Sequence, residues 1–306
     1  MPNSSHNRNI SIVWDFDGTL TPEDSTTEVI KLIGGNSKLF WDDVHTINGK
    51  VKKNFTQADW DRMLSSDAPT WMWSLARIAR VNGIVLSKSY FDGISDQSVF
   101  ALYKRADSLI TDLRNLNESD AFRTAGIQVH HFIVTAGLAE LVHSIVRHLK
   151  LPIENVWGCR YTGVFTSNEE KGYSVPVYCM DETMKTRAIF EIAKGVWNDP
   201  KKEVNHRVES IDLWCPFENI IYIGDGPTDI PALSVVRDRG GFGIVVYDES
   251  KEPAEVKERL HKMSVDTRCD CIVPAKFDTD GELYRAILSQ CNRIKDRYSV
   301  QDFTNT

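Results

Sequence analysis

Short apolar, β-branched segments alternate with helical patterns along this chain, and this alternation is the strongest constraint on its fold. Four segments predict buried strands that each end in polar residues: Ile10–Trp14, Ile127–Val134, Ile220–Ile223 and Phe242–Val246. Weaker patterns predict two more strands, Val156–Tyr161 and Cys271–Pro274. Apolar residues at helical spacing predict helices in most of the intervals between these strands and after the last one: Leu138–Leu149, Glu182–Val196, Pro231–Val236, Pro253–Met263 and Gly281–Arg297. Because such alternation builds βαβ units, we expect an α/β fold with a parallel sheet covered by helices on both faces.

About a hundred residues after the first strand interrupt this alternation. Residues 23–125 contain no clear strand pattern, and their apolar spacing is mostly helical, as in Trp71–Val81 and Val99–Leu113. We therefore expect an α/β core domain formed by residues 1–22 and 126–306, with residues 23–125 inserted as a helical domain. Since the insert leaves and returns at one edge of the sheet, a lid over a site at that edge is favoured over a structural embellishment.

Composition and charge exclude several classes of protein. The chain has 306 residues, of which 42% are hydrophobic and 26% charged, as in soluble globular proteins. No apolar run approaches the roughly 20 residues that span a bilayer, and the polar segment Met1 to Asn9 lacks the apolar core of a signal peptide. The net charge of −7 argues against nucleic acid or an anionic membrane as a main partner. The oligomeric state is not indicated.

The cysteines indicate a reducing compartment. Cys269 and Cys271 form the only close pair, and no second Cys or His pair follows at the spacing of a zinc site. Ordinary buried thiols are therefore favoured over a metal centre, and we expect a cytoplasmic protein.

Two carboxylates follow the first predicted strand. Asp15 and Asp17 lie two residues apart, so their side chains can point the same way from the strand end. Gly18 and Thr19 then allow a sharp turn. One carboxylate of such a pair can attack while the other transfers a proton, and a metal ion can bind between them. An Asp- and Gly-rich surface turn is the structural alternative.

A second acidic motif, Gly224-Asp225-Gly226-Pro227-Thr228-Asp229, follows the strand Ile220–Ile223. Its glycines let the backbone approach a metal or a phosphate closely. Asp225 can bind a hard cation, and Asp229 can hold the site in register from the next turn. Oxygen ligands with open water positions favour Mg²⁺ over zinc. A tight structural turn is an alternative, but it leaves Asp229 unexplained.

Thr135 ends another predicted strand and is followed by Ala136 and Gly137. A small hydroxyl and adjacent backbone N–H groups at a helix start suit the binding of an anion. Taken alone, Thr135 is better explained as the N-cap of the helix that starts near Leu138.

Lys185 lies near the start of a predicted helix, where a cation opposes the helix dipole unless a local anion compensates. A bound phosphate would supply that anion. A solvated surface lysine is the commoner alternative. Lys171 and Lys194 compete for the role, but neither combines a helix start with this spacing from a strand.

Taken in order, these segments resemble the four sequence motifs of the haloacid dehalogenase (HAD) superfamily: Asp15 to Thr19, Thr135, Lys185, and Gly224 to Asp229. The resemblance implies a Rossmann-like α/β core. An insert between the first two motifs is similar to a helical C1 cap, and the whole arrangement is similar to phosphoserine phosphatase-like members. The 50 residues from Thr135 to Lys185 leave room for a β-hairpin near Tyr161–Tyr178 rather than a second large cap.

The resemblance also implies catalytic roles. Asp15 would be the nucleophile that forms an aspartyl-phosphate intermediate, and Asp17 would protonate the leaving oxygen and then activate water. Thr135 and Lys185 would bind the phosphoryl oxygens, with Ala136 and Gly137 completing the substrate-binding turn.

The same resemblance implies Mg²⁺ as the cofactor. The ion would be bound by the Asp15 carboxylate, the Asp17 backbone carbonyl and Asp225, with Asp229 in support. Asp17 also discriminates within the superfamily: dehalogenase relatives lack an acid there, phosphonatase relatives carry Ala, and P-type ATPase relatives carry Lys and need transmembrane helices.

We therefore expect a phosphatase acting on a small-molecule phosphomonoester. A phosphotransferase or phosphomutase is the alternative within the superfamily, and a non-catalytic protein that binds a phosphorylated ligand is the alternative outside it.

Overall fold

The computed structural model describes residues 8–48, 67–162, 174–251 and 268–304, and the single residues 253, 256 and 260. Seven strands in these ranges form one sheet. They are β1 (Asn9–Trp14), β2 (Gln128–Leu138), β3 (Asn155–Tyr161), β4 (Pro176–Tyr178), β5 (Ile220–Gly224), β6 (Phe242–Tyr247) and β7 (Cys271–Pro274). Their order in the sheet is β4-β3-β2-β1-β5-β6-β7.

The sheet is parallel except at one edge. β1 pairs in parallel with β2 on one side and with β5 on the other, and the pairs β2–β3, β5–β6 and β6–β7 are parallel too. Only β3 and β4 pair antiparallel, with Arg160 opposite Tyr178. The predicted α/β fold is therefore confirmed. The antiparallel pair agrees with the predicted hairpin, whose residues 163–173 lie outside the described ranges.

After β2 the described helices are separated by one or two strands, and before it they are consecutive. They are α1 (Ser25–Leu32), α2 (Ser37–Ile47), α3 (Asp67–Val81), α4 (Lys88–Ile94), α5 (Ala106–Arg114), α6 (Asp120–Thr124), α7 (Ala139–Leu149), α8 (Glu182–Lys194), α9 (Ile230–Asp238) and α10 (Glu282–Thr304). The predicted helix Pro253–Met263 falls almost wholly outside the described residues. Among those residues, no helix combines the length and the hydropathy needed to cross a bilayer.

The centre of the sheet forms the core. Ile10, Ile12, Val13 and Trp14 of β1 have no exposed surface, and every residue of β5 is buried. Strands covered on both faces have continuous apolar sequences rather than alternating ones. This burial explains why β1 and β5 were recognisable as unbroken apolar segments.

Helices α1 to α6 lie between β1 and β2, and no strand occurs in the described part of that segment. Of these helices, α5 packs against β2 through buried Leu109, Ile110 and Leu113. The limits of the two domains stay a prediction.

One predicted helix within the insert, Val99–Leu113, is wrong in its first half. A short 3-10 turn occupies Ser98–Phe100, and α5 starts only at Ala106. The intervening chain is held elsewhere, because the Tyr103 N–H donates a hydrogen bond of 2.8 Å to Leu20 O. A long-range contact thus replaces the helix that local spacing predicts.

Burial keeps the His131 side chain of β2 neutral. The Trp14 indole N–H donates to His131 Nδ1 at 3.1 Å, and the two rings stack with centroids 6.3 Å apart. Burial, with smaller contributions from Arg114 and His130, lowers the pKa of His131 from 6.5 to about 3. Below pH 6.5 the unfolded chain therefore binds a proton that the folded chain does not bind, and folding loses stability as the pH falls towards 3.

We expect His131→Asn to flatten the pH dependence of the free energy of unfolding. Asn keeps an acceptor for the Trp14 indole but cannot titrate, so the variant lacks a slope of up to about 1.4 kcal/mol per pH unit below pH 6.5. Urea unfolding at pH 7, 6 and 5 measures this slope. Equal slopes for the two proteins would contradict the assignment.

Candidate active site

Three strand ends meet at the middle of the sheet. Because β1 lies between β2 and β5 and all three are parallel, their carboxyl ends share one edge. Asp15 follows β1 there, and its N–H still donates to Ile223 O of β5 at 2.8 Å. Thr135 lies near the end of β2, and Asp225 directly follows β5. In open α/β sheets, this edge is where ligands bind.

Three carboxylates form a buried cluster at this edge. Oxygen atoms of Asp15, Asp225 and Asp229 lie within 4.8 Å of one another. Burial and the neighbouring Asp229 carboxylate raise the pKa of Asp15 well above its ordinary value, while Lys185 opposes the rise. Asp15 Oδ1 is ion-paired with Lys185, and all three members of the cluster offer carboxylate oxygens. A buried cluster of carboxylate oxygens fits a hard divalent cation.

Lys185 binds two members of this cluster from α8. It is completely buried, and its Nζ donates to Asp229 Oδ1 at 2.7 Å and lies 2.9 Å from Asp15 Oδ1. Burial lowers the pKa of Lys185, but the Asp15 and Asp229 carboxylates outweigh that effect and raise it overall. The interpretation of Lys185 as a solvated surface residue is therefore wrong.

The start of α8 is fixed by its own cap. The Asp181 carboxylate accepts hydrogen bonds from the backbone N–H groups of Thr183 and Met184. This N-cap places Lys185 one turn into the helix, within reach of the sheet edge.

Asp229 has a full set of partners. Its Oδ1 accepts from Lys185 and from the Tyr222 hydroxyl at 2.7 Å, and its Oδ2 accepts from the Gly226 N–H at 3.1 Å. Burial and Asp229 raise the pKa of Tyr222 well above its usual value, so the hydroxyl keeps the proton that it donates. Tyr222 was not among the predicted site residues. Its signal is a polar-tipped side chain inside an otherwise apolar strand.

The turn at Thr135 differs from the expected helix cap. β2 continues to Leu138 through an irregularity after Val134, and α7 begins at Ala139. Thr135 Oγ1 accepts the Gly137 N–H at 2.9 Å inside this turn. The N-cap interpretation of Thr135 is therefore wrong, because the strand runs four residues further than its apolar pattern predicts.

Cys159 connects this turn with the start of α8. From β3, its buried thiol donates to Ala136 O at 3.3 Å and accepts the Met180 N–H at 3.1 Å. Burial raises the pKa of Cys159 to about 12, so it stays a thiol. Neither its role nor its contacts were visible in the sequence.

Asp17 lies beside this cluster and is partly exposed. Its Oδ1 accepts the backbone N–H of Ser25, the first residue of α1, at 2.8 Å. Burial and the charge of Asp24 raise the pKa of Asp17 to about 7, although the Ser25 N–H opposes the rise. The carboxyl can therefore lose and regain a proton near neutral pH.

Two glycines of the acidic motifs leave space for the carboxyl groups of Asp225 and Asp229. Gly18 has a φ of 76°, and a Cβ there would overlap the carboxyl group of Asp225. A Cβ on Gly224 would overlap the carboxyl group of Asp229. Gly226 is different, since a Cβ on it would lie 3.8 Å from Thr228 Oγ1 and 3.9 Å from Asp229 Oδ2.

We expect Gly224→Ala to displace Asp229 and so to break its hydrogen bonds with Lys185 and Tyr222. Overlap in a packed core costs about 1–3 kcal/mol, so the melting temperature should fall. Gly226→Ala is the matched control in the same motif, and it should unfold near the wild-type temperature. Calorimetry on both variants tests this, and equal melting temperatures would contradict it.

The comparisons with known proteins agree with this geometry. An uncharacterized protein of Borreliella burgdorferi is 22% identical over 245 residues, which cover 75% of this chain and 79% of the relative. The structure of cytosolic 5′-nucleotidase IIIB bound to cytidine is similar with a TM-score of 0.51 and 17% identity, over 95% of this chain and 88% of that one. The structure of a probable phosphoserine phosphatase from Vibrio cholerae is similar with a TM-score of 0.50 and 13% identity, over 95% of this chain and 67% of that one.

These two structural likenesses establish a shared fold. The sequence itself gives the family, because residues 12–234 match the profile of the haloacid dehalogenase-like hydrolases and so include all of the motifs described above. This chain belongs to the haloacid dehalogenase-like hydrolase family.

Proposed function

We propose that this protein is a Mg²⁺-dependent phosphatase that hydrolyses a small-molecule phosphomonoester through an aspartyl-phosphate intermediate. The observation that carries the proposal is the position of Asp15, which sits at a sheet edge against a buried lysine with Asp17 two residues away. Membership of a hydrolase family supports it. We place the protein in the phosphoserine phosphatase-like branch on the order of its motifs.

Asp15 is the proposed nucleophile. One of its carboxylate oxygens attacks phosphorus, and the bond between phosphorus and the leaving oxygen breaks. Negative charge on a phosphate repels an attacking carboxylate, so the reaction needs fixed positive charge beside it. Lys185 Nζ, 2.9 Å from Asp15 Oδ1, supplies such charge in a buried site where it is weakly screened.

Asp17 is the proposed general acid and base. It gives its proton to the leaving oxygen in the first step and takes a proton from the attacking water in the second. A pKa near 7 suits both directions of transfer, and its partial exposure suits contact with substrate and water.

The donor set suits Mg²⁺. Asp15 and Asp225 would bind the ion together with the Asp17 backbone carbonyl, and the cluster that includes Asp229 consists of carboxylate oxygens only. When bound, Mg²⁺ would neutralise negative charge on the phosphoryl group. Because Asp229 already accepts from Lys185, Tyr222 and Gly226, its main role is to hold the lysine and the turn after β5 in place.

The turn from Thr135 to Gly137 is the proposed site for the phosphoryl oxygens, with Lys185. Since the Gly137 N–H donates to Thr135 Oγ1, that hydroxyl keeps its own hydrogen to donate to a ligand. The insert of residues 23–125 is proposed as the lid that selects the substrate, because Ser25 at the start of α1 lies beside Gly137 of β2 and binds Asp17. The cytoplasmic location stays a prediction.

The first experiment is a screen of amino-acid, sugar and nucleotide phosphates with Mg²⁺ that records released inorganic phosphate. Phosphate release identifies a phosphatase, whereas an isomerised or transferred product would identify a mutase or phosphotransferase. Inactivity across the whole panel would favour a phospho-ligand-binding protein.

We expect Asp15→Asn to lower turnover by at least about 10³-fold, because an amide cannot serve as the attacking nucleophile. Asp42→Asn, which makes the same chemical change at an exposed acid on α2, is the control and should keep wild-type activity. Phosphate release under saturating Mg²⁺ provides the measurement. Turnover in Asp15→Asn at the wild-type rate would contradict the mechanism.

We expect Asp225→Asn to weaken Mg²⁺ binding by at least about tenfold, since even the loss of an outer partner costs that much. A ligand that binds the folded state raises the melting temperature, so the Mg²⁺-induced shift should shrink in this variant. Asp238→Asn, at an exposed acid of α9, should retain the full shift. An unchanged shift in Asp225→Asn would rule out its role as a ligand.

A further inference from the structure

Ser25 carries a buried hydroxyl with no hydrogen-bond partner among the described residues. The residue is the first of α1 and is 2% exposed. Its Oγ lies close enough to the Asp17 carboxyl to lower the pKa of that group, but this contact lacks normal hydrogen-bond geometry. Leaving a buried polar group unpaired costs about 1–3 kcal/mol. Such a cost at a candidate active site indicates a partner that arrives with the substrate.

The Ser25 hydroxyl faces a point that two proposed site residues share. A Cβ on Gly137 would lie 2.8 Å from Asp17 Oδ2, 3.3 Å from Thr135 Oγ1 and 3.4 Å from Ser25 Oγ. Glycine leaves this point open. A single substrate atom near it would therefore be within contact distance of a carboxyl oxygen and two hydroxyls.

The chemistry of these three groups indicates which substrate atom would lie at this point. Each hydroxyl can donate a hydrogen bond, and Asp17 can donate its proton when it is protonated. The backbone N–H of Ser25 already holds Asp17 Oδ1, which leaves Oδ2 to face the open point. An atom that accepts from hydroxyls and receives a proton from Asp17 is the bridging oxygen of a phosphate ester.

We propose that Ser25 is a further catalytic residue, whose hydroxyl donates a hydrogen bond to the bridging oxygen of the phosphomonoester beside Asp17. This inference rests on the proposed phosphatase function. As an Asp15 oxygen forms its bond to phosphorus, the ester bond breaks and its electron pair stays on the leaving oxygen. Asp17 transfers its proton to that oxygen, while Ser25 keeps its own proton and stabilises the developing charge.

The side chain of Ser25 can be tested separately from its backbone. The N–H that orients Asp17 remains in every substitution, so Ser25→Ala removes the hydroxyl alone. A hydrogen bond to the bridging oxygen accelerates the reaction most when the alcohol is a poor leaving group. The dependence of the rate on the leaving alcohol therefore distinguishes this role from a purely structural one.

The experiment compares kcat/KM for alkyl phosphates with kcat/KM for p-nitrophenyl phosphate, whose phenol leaves easily. Ser25→Ala should lower the value about tenfold for alkyl phosphates, the equivalent of one hydrogen bond to a developing charge. For p-nitrophenyl phosphate the loss should stay under about twofold. Plotted against the pKa of the leaving alcohol, log kcat/KM should fall more steeply in the variant.

Two further variants keep the test decisive. Ser25→Cys preserves the size of the side chain but is a weak donor, so it should shift the dependence in the same direction. Ser74→Ala on α3 removes another buried, unpartnered serine hydroxyl and should leave the dependence unchanged.

A loss of equal size on both ester types, or no loss on either, overturns the role of Ser25 while wild-type phosphatase activity stands. A wild-type protein with no activity on any ester overturns the phosphatase function itself, and the role of Ser25 with it.

Discussion

The ion pairs of Lys185 with Asp15 and Asp229 are the interaction on which the rest of the site depends. A completely buried ammonium group loses its water, and only carboxylates at close range compensate for that loss. Here the two carboxylates follow different strands, β1 and β5, while the lysine comes from α8. Removing one partner of such a buried pair costs on the order of 3–5 kcal/mol. The pairs therefore join three elements of the core and set the charge around the proposed nucleophile together.

Neutral contacts surround these charges and fix their positions. Tyr222 and the Gly226 N–H orient Asp229, and Cys159 ties the Thr135 turn to the chain before α8. None of these groups carries charge, yet replacing the Tyr222 or the Cys159 side chain would remove a hydrogen bond from a buried partner. The rigidity of the site thus comes from buried polar contacts as much as from packing.

Local patterns in the sequence were sufficient to predict the parallel sheet and the positions of Asp15 and Asp225 at its edge. Strands such as β1 and β5 are short apolar segments, and Asp15 and Asp225 follow directly after them, so position along the chain alone indicated where they meet. The burial of Lys185 was not predictable in this way, because its partner Asp229 is 44 residues away. Taken alone, Thr135 was better explained as a helix cap, because spacing cannot show that a strand continues through an irregularity. Ser25 gains its meaning from Thr135 and Gly137, which a distant strand brings beside it, and Tyr222 from the turn that brings Asp229 back onto β5.

The hydrogen bond from the Ser25 N–H to Asp17 has a consequence for how new specificities arise on this scaffold. The segment proposed to recognise the substrate also supplies a backbone contact that aims an acid of the core. Domain exchange between relatives is therefore constrained at its first junction: a transplanted insert must begin its first helix at the same place, with a free N–H directed at that carboxyl. Inserts that diverge beyond that first helical turn escape the constraint, so variation is expected to concentrate there.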